Sequence, residues 1–446
     1  MGYLVYFNLF RSQEMISSPY NYKRQDIYAS RVVRGKILDA GGNVLAETQT
    51  AEDGSETRVY PQGDIYAHVV GYADKGKAGL ESVENFELLT SNAFFVEKFM
   101  KELKGQKNIG DNVVTTLNST LQSAAYDALG DSNGAVVVME PSTGKILTML
   151  SKPTYDPNMV GADWESLNAD ENGILVNRAT QGAYAPGSTF KIATTLEYMK
   201  EHPDYANYTY DCSGEITQDG TTIHCFDSTP HGAENLADSM ANSCNSSYAN
   251  MGLQLDKKAY GETAKKLLFN SKLPSELPYR KSNFEINADS SSAEMMMTAM
   301  GQGKTQVSPY HMALITSAVA NGGTLMKPHV VDKITNYNGT TIKKIRTNAY
   351  SEMMSNSEAS QLKEYMQGVV QYGTATMFAG EDYTVAGKTG TAEYSSDKEK
   401  SHSWFVGFTN VDNPELVISV VVEGADESGV RATSVAKQIL DSYYYG

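Results

Sequence analysis

Lys388-Thr389-Gly390 occurs once in this chain, and it ranks two looser patterns upstream of it. Ser-x-x-Lys alone says little, because five places match: Ser142/Lys145, Ser188/Lys191, Ser360/Lys363, Ser395/Lys398 and Ser434/Lys437. Ser-x-Asn has two matches, Ser166/Asn168 and Ser243/Asn245. Requiring the order serine nucleophile, Ser-x-Asn, Lys-Thr-Gly, with a helix start at the first serine, leaves Ser188, Ser243 and Lys388.

The local sequence gives each of these a chemical reason. Ala185-Pro186-Gly187 redirects the chain, and Thr189 to Lys200 has helical periodicity through Ile192, Thr195, Leu196 and Met199. Ser188 is therefore expected at a helix N-terminus, where free N–H groups favour developing negative charge. Lys191 falls one turn on, on the same face. A serine hydroxyl needs a base to attack at neutral pH. Lysine serves only where burial or a neighbouring cation depresses its pKa. Ser243 and Asn245 sit in a polar Asn-Ser-Cys-Asn-Ser-Ser run after an expected helix, Glu234 to Met240; a hydroxyl between lysines relays a proton and an amide holds a peptide group. Lys388 to Thr391 continues a strand-like segment, with Gly387 and Gly390 expected to leave room for a substrate backbone. The lysine and the hydroxyls of Thr389 and Thr391 suit a carboxylate.

Composition narrows the partners. Of 446 residues, 41% are hydrophobic and 20% charged, which is ordinary for a globular protein of two or three domains. Acids outnumber bases 53 to 37, and no basic run stands out, so nucleic acid is not an expected partner. No apolar run approaches the ~20 residues that span a bilayer. Met1 to Phe10 is apolar and followed by Arg11, Lys23 and Arg24, and reads as the remnant of a membrane anchor. Cys212 and Cys225 flank a Gly/Thr/Asp-rich step and are expected to form one loop-closing bridge. A metal held by these with His224 and His231 lacks CxxC or HxxxH spacing, so no metal ligand is expected, and Cys244 reads as a small buried filler.

Along the chain, residues 1–30 read as anchor remnant and extended arm, 31–110 as a first domain, and 111–446 as a second. A hairpin is expected from Gly35 to Ala46, a helix from Glu81 to Leu103, and a boundary at Gly105 to Asn112. Ala135 to Met139 and Lys145 to Leu150 form a second hairpin. Residues 160–370 read as mostly helix or loop, including Ser308 to Val319. Strands return at Tyr383 to Tyr394, Ser403 to Thr409 and Leu416 to Val422, before a helix from Arg431 to Tyr443. Two strands, a helical insertion, three strands and a helix imply an antiparallel sheet assembled from both ends of one domain, an α+β fold.

The three motifs in this order resemble the signature of penicillin-binding proteins and class A β-lactamases. Beyond them, Arg34-Gly-Lys-Ile-Leu-Asp39, Gly79-Leu-Glu81, Met300-Gly-Gln-Gly303, Ser308-Pro309, Ala320-Asn-Gly-Gly323, Tyr372-Gly-Thr374 and His402-Ser-Trp-Phe-Val-Gly407 resemble the class B (monofunctional) penicillin-binding proteins, and most closely the compact penicillin-binding protein A-like group. The resemblance runs from about Val32 to Tyr443. It implies a β-lactamase/transpeptidase-like α/β sandwich, a central antiparallel sheet flanked by helices, above a smaller N-terminal pedestal of dimerisation type.

The resemblance also implies roles. Ser188 would be acylated by the penultimate D-Ala of a stem peptide ending in D-Ala-D-Ala, or by a β-lactam, with Lys191 as base. Ser243, Asn245 and Lys388 would move protons and hold the peptide. Thr389, Gly390 and Thr391 would bind substrate, with backbone N–H groups of Ser188 and Thr391 as oxyanion hole. No metal or organic cofactor is implied. Expected partners are peptidoglycan stem peptides, β-lactam antibiotics, and a glycosyltransferase with division or elongation proteins, on the extracytoplasmic face of a bacterial membrane. A β-lactamase, β-lactam sensor or D,D-carboxypeptidase is the alternative within serine acyl transfer. Against a lactamase stand the long Asn245-to-Lys388 interval and the absence of a Glu-x-x-Leu-Asn segment within it. A non-catalytic cell-wall scaffold is the alternative outside enzymes.

Overall fold

The computed structural model describes residues 31–393 and 400–446. The expected anchor remnant and arm, and the Ser395/Lys398 pair, lie outside them. Two compact units emerge, and they interleave in sequence. One takes the chain through Ser119 with Thr154–Leu175 and His329–Arg346; the other takes Thr120–Pro153, Val176–Pro328 and Thr347–Gly446. The linear division at 110/111 misses this because Asn112–Thr115 and Val331–Thr335 pair antiparallel in a six-stranded sheet of the first unit. Distant strands complete one sheet, so no single cut separates the domains.

In the first unit, Ile37–Leu38 and Val44–Thr50 form the expected hairpin. The Asp39 carboxylate accepts from Asn43 N at 2.7 Å and Asn43 Nδ2 at 2.8 Å, pinning the turn by Asx chemistry. Arg34 and Glu81, from two separate family-like motifs, meet: Arg34 Nε lies 2.6 Å from Glu81 Oε2, and Arg58 Nε lies 2.7 Å from Oε1. Glu81 is fully buried, and two guanidiniums hold its carboxyl below the usual range against the opposing pull of burial.

The single helix expected over Glu81 to Leu103 is instead three pieces, Gly79–Val83, Asn85–Leu88 and Phe95–Leu103. The carbonyls that would continue it are taken elsewhere: Leu88 O accepts from Gly35 N at 2.9 Å and Thr90 O from Asp111 N at 2.7 Å. Tertiary hydrogen bonds outcompete helical periodicity here. The expected boundary at Gly105 to Asn112 is internal to this unit, since Asn108–Ile109 pairs parallel with Val32–Val33.

The second unit is built on a five-stranded antiparallel sheet ordered Val385–Glu393, Ser401–Thr409, Val417–Val422, Gly134–Met139, Ile146–Lys152. It is assembled from both ends of the domain, as the order of elements implied. Every residue of Val417–Val422 and Gly134–Met139 is buried, which explains their apolar runs, interrupted only by Ser419: both faces are covered. Pro309–Ala320 and Ala432–Tyr445 both pack against the sheet. Pro309–Ala320 is buried along its whole length, starting from a Ser308 cap with Pro309 in the first turn. Each fully buried aliphatic side chain there contributes roughly 1.5–3 kcal/mol by leaving water.

Residues 210–234, expected as helix or loop, hold four short strands. Glu215–Gln218 and Thr221–His224 form a hairpin whose two turn residues, Asp219 and Gly220, have φ of 48° and 78°. Asp-Gly in a two-residue turn is the sequence signal that would have found it. Among the described residues no helix is long and apolar enough to cross a membrane.

Candidate active site

Ser188 lies in a tight turn, Gly187–Phe190, of 3₁₀ geometry, and the α-helix follows from Lys191 to Glu201. The helix was expected two residues earlier. Gly187 has φ +54°, and a Cβ there would come within 2.4 Å of Thr391 O, so glycine lets the serine turn press against the Lys-Thr-Gly strand. Gly187 N donates to Gly301 O at 2.9 Å, Thr189 Oγ1 to Pro186 O at 2.7 Å, and Trp404 Nε1 to Ala185 O at 3.1 Å. Ser188 is thus carried on a turn closed by its own threonine and tied to Gly301 and Trp404, and is itself half-buried.

Ser243 reaches the site through a strained backbone. The Leu236–Ala241 helix ends with Ser243 N donating to Met240 O at 3.3 Å and Cys244 N to Ser239 O at 3.0 Å. This is a Schellman ending, whose left-handed residue is usually glycine. Here it is Ser243, at φ 56°. A non-glycine residue in that region costs about 1 kcal/mol or more, and such strain collects where a side chain must be aimed. Cys244 then caps the Asn245–Gln254 helix by accepting from Ser247 N.

The result joins four of the expected residues. Lys191 Nζ donates to Ser243 O at 2.7 Å, Asn245 Oδ1 at 2.8 Å and Ser243 Oγ at 3.2 Å. Lys388 Nζ donates to the same Oγ at 2.9 Å and to Thr389 O at 3.1 Å. Both lysines are fully buried. Burial pushes Lys191 down to about 7, opposed mainly by the nearby Cys244 and Cys225 thiols. Burial, and then the charge of Lys191, push Lys388 well below the ordinary lysine range. The Tyr248 ring lies 5.0 Å from Lys191 Nζ.

Val385–Glu393 carries Lys388, Thr389, Gly390 and Thr391 at the end of the sheet, paired without a bulge to Ser401–Thr409. The two-residue period sets Lys388 and Gly390 on one face and Thr389 and Thr391 on the other. Thr391 is exposed and Thr389 half-buried, with Thr389 Oγ1 2.6 Å from Thr374 Oγ1. The glycines do not leave open room. A Cβ at Gly390 would lie 3.0 Å from Trp404 Cβ and 3.1 Å from Thr189 Cγ2, and one at Gly387 2.7 Å from the Phe405 ring. Their expected substrate clearance is corrected: these glycines let the protein pack upon itself.

Thr374, and Gln302, whose Nε2 lies 3.5 Å from Thr391 O, join the site without having been singled out. Tyr372-Gly-Thr374 and Met300-Gly-Gln-Gly303 were the signals that contained them. The other described lysines of the Ser-x-x-Lys matches have other surroundings. Lys437 pairs with Glu381 and Asp441 at 2.6 and 2.9 Å, Lys145 lies 4.0 Å from Glu140, and Lys363 projects from the Asn356–Gln371 helix toward the Phe408 ring. Ser166 and Asn168 end a helix of the first unit.

The expected Cys212–Cys225 bridge is not formed. Their sulfurs lie 3.7 Å apart and all three cysteines are free, against about 2.05 Å for a bonded pair. The spacing argued against a metal held by Cys212 and Cys225 with His224 and His231, and left Cys244 out of that group as a buried filler; the cluster in the structure is Cys212, Cys225, His231 and Cys244. The structure gathers all four, with one ligand atom of each within 4.8 Å of the others. His224 stands aside, 3.1 Å from Glu215.

Comparison with known proteins accounts for nearly the whole chain. Residues 134–441 match the penicillin binding protein transpeptidase domain, and residues 34–113 the penicillin binding protein A dimerisation domain. The chain is 30% identical over 430 residues to the peptidoglycan D,D-transpeptidase PbpA of Mycolicibacterium smegmatis, covering 91% of this chain and 87% of that protein. The D,D-transpeptidase domain of a peptidoglycan glycosyltransferase from Eggerthella lenta superposes with a TM-score of 0.83 at 31% identity, over 93% of this chain and 99% of that one. The imipenem acyl-enzyme complex of penicillin-binding protein A from M. tuberculosis gives a TM-score of 0.84 at 28% identity, again over 93% and 99%. By sequence, domain order and fold, this chain belongs to the penicillin-binding transpeptidase family, as a class B member in which a penicillin-binding protein A dimerisation domain precedes the transpeptidase domain.

Proposed function

We propose that this chain is a serine-type peptidoglycan D,D-transpeptidase that crosslinks stem peptides through a Ser188 acyl-enzyme and is inhibited covalently by β-lactams. The observation that carries the reading is the Ser243 hydroxyl shared by two fully buried lysines, 3.2 Å from Lys191 Nζ and 2.9 Å from Lys388 Nζ. Buried cations without a carboxylate partner are costly, so one function of the pair is to hold amine chemistry poised near neutrality.

The steps follow from that arrangement. Neutral Lys191 takes the Ser188 proton as Oγ attacks the penultimate D-Ala carbonyl, and charge develops on the carbonyl oxygen. N–H groups of Ser188 and Thr391 stabilise that oxyanion. The departing D-Ala amine receives the proton that Lys191 took from Ser188, relayed through the Ser243 hydroxyl, which Lys388 Nζ holds in place. The acyl-enzyme then reacts with an acceptor amine, the relay runs in reverse, and Ser188 is regenerated. Asn245 orients the peptide, and Thr389 and Thr391 hold the terminal carboxylate. Peptidoglycan places the work at the extracytoplasmic face of the membrane, beside a glycosyltransferase and division or elongation proteins that bring nascent strands.

Mass spectrometry after incubation with benzylpenicillin tests the chemistry. A long-lived adduct on Ser188, absent in Ser188→Ala, is expected. Rapid turnover without an adduct identifies a lactamase, and no reaction at all a scaffold. Crosslinking of lipid II polymerised by a partner enzyme tests the physiological reaction.

A further inference from the structure

Four soft donors converge beside the Ser-x-Asn segment, from four separate local structures. Cys212 ends the Tyr210–Cys212 strand, and His231 leads into its partner strand, Gly232–Glu234, where Gly232 pairs with Cys212. Cys225 follows the Thr221–His224 strand, and Cys244 caps the Asn245–Gln254 helix. The three cysteines are buried and His231 is half-buried. Cys225 Sγ lies 3.7 Å from both Cys212 Sγ and Cys244 Sγ, and His231 Nδ1 lies 3.4 Å from Cys212 Sγ.

We infer that Cys212, Cys225, His231 and Cys244 form a closed Cys3His zinc site that anchors the Ser243–Asn245 segment. These three separations are those of a tetrahedron around zinc, where bonds of about 2.3 Å to sulfur and 2.0–2.1 Å to nitrogen put sulfurs about 3.8 Å apart and sulfur about 3.5 Å from nitrogen, and the other three lie within 4.8 Å. The surroundings suit thiolates. Gly214 N donates to Cys212 Sγ and Ser247 N to Cys244 Sγ, each at 3.4 Å, and Ser246 Oγ lies 3.1, 3.2 and 3.5 Å from the sulfurs of Cys212, Cys225 and Cys244. Donors aimed at every sulfur are what an outer shell supplies to a metal-bound thiolate. Three thiols and an imidazole select zinc over calcium or magnesium, which take oxygen ligands. Four protein ligands leave no open position, so the metal is structural and takes no part in the acyl transfer.

Its place gives it a task. Cys244 stands between Ser243 and Asn245, the two residues that contact Lys191. Asn245 Nδ2 also donates to His224 O at 3.1 Å, next to Cys225. Metal bonds to Cys244 and Cys225 hold both ends of that contact, and hold Ser243 in its strained conformation.

The test uses the whole chain, purified reduced and without chelator. After incubation with zinc and exhaustive dialysis, elemental analysis is expected to find one zinc per chain. Cobalt substituted for zinc is expected to show thiolate charge-transfer and tetrahedral d–d bands. Zinc removal is expected to lower the thermal midpoint and slow acylation by a fluorescent penicillin, both restored by zinc. His231→Ala keeps the thiols and lies outside the acyl-transfer machinery. It is expected to weaken zinc binding by more than the roughly 10–100-fold that loss of an outer partner costs. Folded, fully reduced protein that retains no zinc after dialysis overturns the site, as does a thiol count of one, which marks a disulfide. Unchanged affinity in His231→Ala overturns the ligand set. Zinc retention and Ser188 acylation are read separately, so failure of one leaves the other standing.

Discussion

Lys388 Nζ lies 2.9 Å from Ser243 Oγ, though the two residues are 145 positions apart in the chain. The same hydroxyl is 3.2 Å from Lys191 Nζ. A single small side chain thereby couples two buried amines, and its backbone is strained to do it.

Lys191 carries the first prediction. Its pKa, pushed by burial down to about 7, means the neutral amine accumulates as pH rises through that value. The second-order rate of Ser188 acylation by a penicillin is expected to rise through a midpoint near pH 7 and then level. Lys191→Arg, which keeps its proton, is expected to be nearly as slow as Lys191→Ala. An arginine variant at close to the normal rate would move the base elsewhere.

Ser243 separates stability from chemistry. Ser243→Gly and Ser243→Ala both remove the hydroxyl shared by the two lysines, so under the proposed relay both are expected to lose acylation by roughly 10²–10⁴-fold. Glycine alone relieves the left-handed backbone. The glycine variant is therefore expected to be more stable than the alanine variant by about 1 kcal/mol, measured by denaturant unfolding. Equal stabilities would remove strain from the account.

Thr391→Val tests the division of labour on the strand. It removes an exposed hydroxyl and keeps the backbone N–H. Acylation by carboxylate-bearing ligands is expected to weaken by about 1–3 kcal/mol, the value of a hydrogen bond to a charged group. A small acylating agent without a carboxylate is expected to react nearly normally. Equal losses for both would assign Thr391 to shaping the oxyanion hole.

His311 predicts acid sensitivity of the fold. It is fully buried, with Nε2 donating to Leu267 O at 2.7 Å and Nδ1 accepting from Ser282 Oγ at 2.8 Å. Burial pushes it down from 6.5 to about 4, and the bond to Leu267 O opposes this in part. The folded pKa is below the unfolded one, so the stability this histidine contributes is present above pH 6.5 and is lost as pH falls toward 4. The loss is on the order of 3 kcal/mol over that window. Unfolding free energies at pH 7 and 4.5 for wild type and His311→Gln measure it: the wild type is expected to lose more than the variant.

The sequence by itself determined what local chemistry and periodicity carry. Lys388-Thr389-Gly390 with the ordered motifs marked Ser188, Lys191, Ser243 and Asn245 among several decoys. Apolar runs at Ala135 to Met139 and Leu416 to Val422 marked strands, and the structure buries both strands along their length. Only the tertiary structure decided what depends on groups distant in the chain. Leu88 O and Thr90 O are claimed by Gly35 and Asp111, which broke an expected helix. Gly390 makes room for Trp404 and not for substrate. Cys212, Cys225, His231 and Cys244 have no metal-binding spacing in sequence, because each is delivered by a different turn, strand or cap. Periodicity reports the environment along one element, whereas hydrogen-bond competition and ligand geometry are set by which elements meet.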